Sequence, residues 1–214
     1  KAQNYLPEEK TTAAESIPQV RVKLDDVTIF TPDEMTRLLH HAPPQIVPIL
    51  AIGAFAGIRM AELNRLDWKA VDLERRIIEI RAGQAKTASR RVIPISDNLA
   101  AWLTPLERNG KIVRSQELHT HVPALARALK MEWPRNVLRD SFISYRIAIV
   151  QSADQVALEA GNSASIIFKH YRELTTPDVA AKWFSILPKD GQWNNTLRYD
   201  RKKRRVILNG VEYR

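Results

Sequence analysis

Three basic residues and one tyrosine stand where the sequence changes its structural pattern. Arg59 follows a glycine break, and Lys86 lies between two short β-branched segments. Arg139 and Tyr171 belong to later helical segments. Guanidinium groups stay charged and bind oxyanions in a bidentate manner, while a phenol becomes a nucleophile only once it is ionised. These residue types are therefore suited to chemistry on an anionic group.

Several other kinds of site are excluded by residues that the sequence lacks. It has no cysteine, so disulfides, Cys-ligated zinc and thiol nucleophiles are ruled out. Among the five histidines, His119 and His121 are too close together for one helical face, and no HExxH motif is present. The glycine-rich loops that bind nucleotide phosphates and the GxSxG motif of acyl transfer are also missing. We therefore expect neither a metal site nor a cofactor.

Positive charge is concentrated at the end of the chain. The 214 residues carry a formal net charge of +9, and residues 198–214 hold seven basic side chains against two acidic ones. Such a balance favours polyanionic partners, nucleic acid first. Charge alone leaves DNA, RNA, an anionic membrane surface and a plain solvated tail open. With no apolar run of ~18 residues and no signal-peptide pattern, we expect a cytoplasmic protein without membrane contact.

The spacing of apolar residues predicts a mainly α fold with a small antiparallel sheet, an α+β domain. Residues 1–27 are typical of a connector, residues 28–188 of an ordered domain, and residues 189–214 of a basic tail. The tail is predicted to be either a basic strand and turn or a disordered extension. The predicted strands are 77–80 and 91–95. The predicted helices begin at Thr31 with a capping box, cover 46–55, start again at Arg59, and then cover 97–107, 116–130, 136–150, a short segment from Ser152, 163–173 and 177–186.

Four motifs within this pattern resemble those of the tyrosine recombinase (phage integrase) family, catalytic domain. GIRMAEL around Arg59, followed by LDW, is similar to the first-arginine box, and KTASRRVIPIS to the β-hairpin lysine segment. NVLRDSF stands where the family has a His-x-x-Arg box, and LEAGNSASIIFKHY resembles the segment that ends in the nucleophilic tyrosine. The motifs occur in the family's order across about residues 28–186. The resemblance implies the tyrosine recombinase catalytic-domain fold, with residues 1–27 as the linker from a missing N-terminal DNA-binding domain.

The resemblance also implies a reaction, in which DNA is cut and rejoined through a 3′-phosphotyrosine. Arg59 and Arg139 would hold the nonbridging oxygens, and Tyr171 would attack the phosphorus. Lys86 would protonate the leaving 5′-oxygen. Glu62 is expected to orient its neighbours as an ion-pair partner. Tyr145, within an apolar helix, is expected in the core.

Three positions depart from the family pattern. Asn136 replaces the histidine of the His-x-x-Arg box, and Asn162 the later histidine or tryptophan, while Asp140 follows Arg139 where a second histidine is common. Asparagine donates hydrogen bonds to phosphate oxygens, but it cannot shuttle a proton near neutral pH. The catalytic set is therefore Arg59, Lys86, Asn136, Arg139, Asn162 and Tyr171. The alternatives are a weakened or inactive DNA-binding relative and a nicking-closing topoisomerase.

Double-stranded DNA is the expected partner. We also expect the chain to form a homo-oligomer, a tetramer on DNA and a monomer or dimer without DNA. Basic side chains near the hairpin and in the tail are the predicted DNA contacts: Arg90, Arg91, Arg201, Lys202, Lys203, Arg204 and Arg205.

Overall fold

The computed structural model describes residues 27–81, 90–114, 117–171, 174–200, 202 and 205–213. The predicted connector therefore lies outside the described residues except for its last position. So does Lys86. Of the predicted basic contacts in the tail, Arg201, Lys203 and Arg204 also lie outside them.

The first two helices form as the sequence predicts. Helix α1, Pro32–His41, begins with the expected capping box: the Glu34 amide donates to Thr31 Oγ1 at 3.2 Å, and the Thr31 amide donates to the Glu34 carboxylate at 2.8 Å. Helix α2, Val47–Ala56, is apolar and buried at every position. It ends at Gly57, whose φ of 61° lies in the left-handed region that favours glycine.

The helix predicted from Arg59 is a single turn, α3, Met60–Leu63, followed by a 3₁₀ turn over Trp68–Ala70. Next comes an antiparallel sheet in the order β1-β2-β3, formed by Val71–Asp72, Ile77–Ile80 and Arg91–Pro94. The predicted hairpin pairing of β2 with β3 is confirmed, with Ile78 opposite Ile93.

The remaining helices are α4 (Asp97–Leu103), α5 (Val122–Ala128), α6 (Val137–Val150), α7 (Ala153–Ala160), α8 (Ala164–Tyr171) and α9 (Pro177–Phe184). A π-helical turn, Glu117–His121, precedes α5. Helix α6 packs against α2, α9, α7 and α8. Its Tyr145 stacks on Trp183 with ring centroids 4.4 Å apart and donates its hydroxyl hydrogen to the Phe30 carbonyl at 2.8 Å. The prediction that Tyr145 belongs to the core is confirmed.

The basic end of the chain is a second antiparallel sheet packed on the main core. Strands β4 (Leu197–Asp200), β5 (Arg205–Leu208) and β6 (Val211–Tyr213) form it in that order. Val206 and Leu208 are buried with the core of α1, α2 and α4. In the described part of this segment, the strand-and-turn interpretation is therefore right and the disordered extension is wrong.

The architecture is mainly α with two small antiparallel sheets, which confirms the predicted α+β class. Within the described ranges, none of the helices is long and apolar enough to span a membrane. A smaller apolar cluster unites α6, α7 and α8, and Tyr171 packs against it. These three helices carry most of the side chains of the candidate site.

Candidate functional site

Four segments that are distant in sequence converge at one end of α6. Arg59 lies directly before α3, in extended conformation after the Gly57 break. Arg139 occupies the first turn of α6. Asn162 follows the glycine that ends α7, and Tyr171 is the last residue of α8. Each of these positions is a helix end, where side chains from different helices can meet.

The two arginines meet at the side-chain oxygen of Asn162. Arg59 Nη2 donates to Asn162 Oδ1 at 2.8 Å, and Arg139 Nη2 donates to the same atom at 2.6 Å. Arg59 Nη2 also donates to the Gly161 carbonyl at 2.7 Å, while Arg139 Nη1 donates to the Gly57 carbonyl at 2.6 Å. Because the shared acceptor is neutral, it positions both guanidiniums without cancelling their charge. The sequence predicted Asn162 as a hydrogen-bond donor, whereas here its oxygen acts as an acceptor.

Burial shapes the electrostatics of this pair. Desolvation, followed by the positive charge of Arg59, lowers the pKa of Arg139 to about 10, and the carboxylate of Glu62 opposes that shift. Arg139 is therefore still charged at neutral pH, and two like charges are held at short range. A site of this kind attracts an anion because an anion relieves the repulsion.

Glu62 binds two arginines of the site through its carboxylate. Its fully buried carboxylate accepts from Arg59 Nη1 at 3.3 Å and from both terminal nitrogens of Arg91, at 3.2 and 2.6 Å. The expectation that Glu62 is an ion-pair partner is confirmed. Arg91 was predicted to contact DNA, but that prediction is wrong for the described structure: it is only 8% exposed, and its Nε donates to the Glu159 carbonyl.

The space around Arg91 is tightly filled. A Cβ added at Gly161 would lie 3.1 Å from Arg91 Nη1, and Gly161 itself has a φ of 68°. The turn that places Asn162 is therefore packed directly against this buried ion pair. Arg91 supports the site through Glu62 and through the turn.

Tyr171 meets a carboxylate that the sequence did not assign to the site. Its hydroxyl donates to Asp140 Oδ1 at 2.8 Å. Burial, then the charge of Asp140 and the hydrogen bond to it, raises the pKa of Tyr171 above its ordinary value, while Arg139 and Arg59 act in the opposite direction. Tyr171 is thus a protonated phenol at neutral pH and lies within electrostatic reach of both arginines. The position of Asp140 directly after Arg139 was visible in the sequence. Its contact with Tyr171 on α8 was not, because that contact depends on the packing of two separate helices.

Asn136 lies beside the arginines but not on the helix. It precedes α6 in a left-handed conformation, with φ of 60°, and its side chain makes no capping hydrogen bond to the described part of α6. Asn136 and Arg139 therefore do not lie on one helical face. The physical reason is that asparagine tolerates left-handed backbone and so lets the chain turn into α6. It still lines a small pocket together with Arg59 and Arg139.

Those other predicted DNA contacts that belong to the described residues lie outside this cluster. Arg90 is exposed and pairs with Glu79 at 2.9 Å. In the tail, Lys202 is exposed, and Arg205 pairs with Glu212 across the second sheet. Within the described ranges, no group of three or more histidine and acidic side chains is placed to hold a metal ion.

Comparison with known proteins finds similarity to recombinases and integrases. The profile of the phage integrase family matches residues 28–132. Proteins named tyrosine recombinase XerD-like from two strains of Streptococcus suis are 22% identical over 147 residues, which is 65% of this chain and 60% of theirs. The chain thus spans less than two thirds of the length of these relatives.

Solved structures show the same fold. The crystal structure of XerA recombinase superposes with a TM-score of 0.58 at 16% identity, covering 77% of this chain and 65% of that one. The catalytic domain of bacteriophage HP1 integrase gives 0.55 at 18% identity, covering 68% and 87%. The Tn1549 transposon integrase, solved in complex with a circular intermediate DNA, gives 0.54 at 14% identity, covering 76% and 66%.

Proposed function

We propose that this chain, which belongs to the phage integrase family, cuts and rejoins double-stranded DNA through a covalent link between Tyr171 and a DNA 3′-phosphate. The observation that carries the proposal is the convergence of Arg59 and Arg139 on one point, with the Tyr171 hydroxyl within reach of their charge. Two fixed cations beside a phenol suit an in-line attack on a phosphodiester. Such an attack concentrates negative charge on the nonbridging oxygens.

The arginines supply transition-state stabilisation in this scheme. Arg59 and Arg139 bind the nonbridging oxygens, each as a charge-assisted donor. The amide of Asn162 presents its oxygen to the arginines, which leaves its NH₂ group as a donor for a phosphate oxygen. Asn136 lines the same pocket and supplies a second neutral donor.

The reaction itself exchanges one phosphate ester for another. The Tyr171 oxygen bonds to phosphorus while the bond from phosphorus to the 5′-oxygen breaks, and Lys86 protonates that leaving oxygen. Attack by a 5′-hydroxyl on the phosphotyrosine reverses the step and rejoins DNA. Because the ester bond is conserved, the reaction needs no nucleotide cofactor. On DNA, copies of the chain assemble so that strands are exchanged between two sites.

A DNA-binding relative that no longer cleaves is the second candidate. It is favoured by the two asparagines, because Asn136 and Asn162 stand where the resemblance implies proton-transferring residues and neither can carry a proton. In that case the arginine pair would bind DNA phosphates without a subsequent covalent step.

Covalent trapping distinguishes the two candidates. The substrate is a pool of duplexes of randomised sequence, each nicked so that the short 5′-hydroxyl fragment diffuses away after cleavage and prevents rejoining. The unmodified chain should accumulate a protein–DNA adduct that resists denaturation. Tyr171→Phe should abolish the adduct and leave DNA binding nearly unchanged, because phosphate contacts dominate affinity.

Tyr199→Phe is the matched control, since Tyr199 belongs to β4 of the second sheet, and it should retain the adduct. Persistence of the adduct in Tyr171→Phe would contradict the proposed nucleophile. DNA binding by the unmodified chain without any adduct would contradict the cleavage reaction and support the non-cleaving relative.

A further inference from the structure

We infer that Asp140 is a further catalytic residue, the base that takes the Tyr171 proton as the phenol oxygen attacks phosphorus. The inference rests on the proposed function and adds to it the group that receives the proton. It is carried by the hydrogen bond in which the Tyr171 hydroxyl donates to Asp140 Oδ1 at 2.8 Å. A general base must lie within about 2.6–3.2 Å, measured between heavy atoms, of the group whose proton it removes, and this contact meets that requirement.

Helix α6 places the base and the oxyanion-binding cation side by side. Arg139 and Asp140 are consecutive in its first turn, so their side chains leave the helix about 100° apart. Arg139 extends to Asn162 and to the Gly57 carbonyl, while Asp140 extends to Tyr171 on α8. A single helical turn therefore contacts both the phosphate-binding arginine pair and the nucleophile.

The other groups around the tyrosine are poor candidates for this role. The amides of Asn136 and Asn162 cannot accept a proton near neutral pH. Glu62 is a carboxylate, but it is fully buried and accepts from Arg59 and Arg91. Protonation of Glu62 would leave buried cations without their partner.

Proton transfer balances along the existing hydrogen bond. As the bond between the Tyr171 oxygen and phosphorus forms, the phenol becomes strongly acidic and its proton passes to the Asp140 carboxylate. The bond from phosphorus to the 5′-oxygen breaks, and that oxygen takes a proton from Lys86. On rejoining, the neutral Asp140 carboxyl returns the proton to the departing tyrosine oxygen, so one residue serves both directions.

The pKa shifts of Asp140 and Tyr171 are consistent with proton transfer between them. Burial raises the pKa of the Asp140 carboxyl, which brings it closer to a working pH, whereas the hydrogen bond from Tyr171 and the charge of Arg139 keep the carboxylate form accessible. Tyr171 is partly buried and next to an anion, so it does not ionise by itself near neutral pH. A resting phenol of this kind requires an acceptor at the moment of attack.

The test compares Asp140→Asn with Asp154→Asn in single-turnover cleavage of the nicked duplexes. Asparagine keeps the shape and an acceptor oxygen but cannot take the proton. Asp154 is an exposed aspartate in the first turn of the neighbouring α7, so its variant makes the same change of charge away from the site. Asp140→Asn should slow cleavage by about a hundredfold or more with DNA affinity retained, and Asp154→Asn should have no effect.

The pH profile adds a readout that a structural role would not move. Cleavage by the unmodified chain should level off once Asp140 is ionised, whereas Asp140→Asn should keep rising about tenfold per pH unit because hydroxide must replace the base. The ionisation of Tyr171, followed by its ultraviolet absorbance against Tyr171→Phe, should shift to lower pH in Asp140→Asn, since a neighbouring negative charge is gone.

Each contrary result identifies which premise is wrong. Cleavage that is unchanged or faster in Asp140→Asn would show that the carboxylate restrains Tyr171 and would overturn its role as base. An unshifted tyrosine titration would show that the contact is not formed in solution and would also overturn the role. Absence of cleavage by the unmodified chain would instead overturn the proposed function, and this role with it.

Discussion

Replacing Glu62 with alanine removes the carboxylate that holds two arginines of the site. Glu62 is fully buried, and it accepts two hydrogen bonds from Arg91 and one from the Arg59 side chain. The side chain of Arg91 is only 6% exposed, so the variant leaves a buried guanidinium whose Nε still donates to the Glu159 carbonyl but which has lost its carboxylate partner.

The size of the effect follows from burial. Removing one partner of a buried ion pair costs about 3–5 kcal/mol, because the other charge stays desolvated and unpaired. For a chain of this length, about 1 kcal/mol lowers the melting temperature by about 2–4 °C, so the expected decrease is about 6–20 °C.

Glu79→Ala is the control, because Glu79 also contacts two arginines, but at the surface. Its partners Arg90 and Arg81 have side chains 70% and 77% exposed, at 2.9 and 3.7 Å. Exposed pairs contribute less than about 1 kcal/mol. Urea and thermal unfolding of both variants give the comparison. Losses that agree within about 1 kcal/mol would refute the reasoning that burial makes the Glu62 pair strong.

Three other outcomes follow from the geometry. Gly57→Ala should destabilise the chain by about 2–6 kcal/mol, since its new Cβ would lie 2.2 Å from a Phe142 ring carbon at a φ of +61°. The control Gly110→Ala, at φ +66° with open space around the new Cβ, should cost about 1 kcal/mol. Equal free energies of unfolding for the two variants would contradict this expectation. Asn162→Ala should slow single-turnover cleavage by about a hundredfold, the cost of one lost transition-state donor, with DNA affinity kept; an unchanged rate would remove Asn162 from the site. Because burial raises the pKa of Asp140 in the folded chain, its stabilising contribution is complete below about pH 4 and is lost as pH rises through the raised value. Asp140→Asn should therefore gain stability relative to the unmodified chain with rising pH in urea unfolding, and a constant difference would contradict the shift.

Much of the framework could be predicted from local sequence because local signals determine it. The capping box at Thr31 and Glu34 fixes the start of α1, and the wholly apolar run fixes α2 as a buried helix. Tyr145 was separable from Tyr171 because it lies among apolar neighbours in the middle of a helix. The glycine at 57 marked the turn that aims Arg59.

Arg91 shows that a basic residue in a basic segment can still be buried. It was assigned to DNA because it stands next to Arg90 in a basic segment, yet strand alternation places the two on opposite faces. Arg91 and Ile93 are buried, whereas Val92 between them is exposed. The period of two was visible in the sequence, but the partner that makes an inward arginine tolerable, Glu62, is 29 residues away.

Asp140 and the second sheet depend on packing between distant segments. The contact of Asp140 with Tyr171 spans 31 residues and exists because α6 and α8 pack together. In the tail, the sequence left a strand and turn and a disordered extension equally open, because only packing between distant segments buries Val206 and Leu208 in the core. A single sequence indicates which segments are ordered more readily than which segments meet.

The most direct test of the central claim is to locate the covalent bond. The adduct trapped on nicked duplexes can be digested with nuclease and protease, and the peptide carrying a nucleotide 3′-phosphate identified by mass spectrometry. One modified residue is expected, Tyr171, at the site formed with Arg59 and Arg139. A nucleotide on any other residue, or a 5′-phosphate linkage at Tyr171, would contradict it.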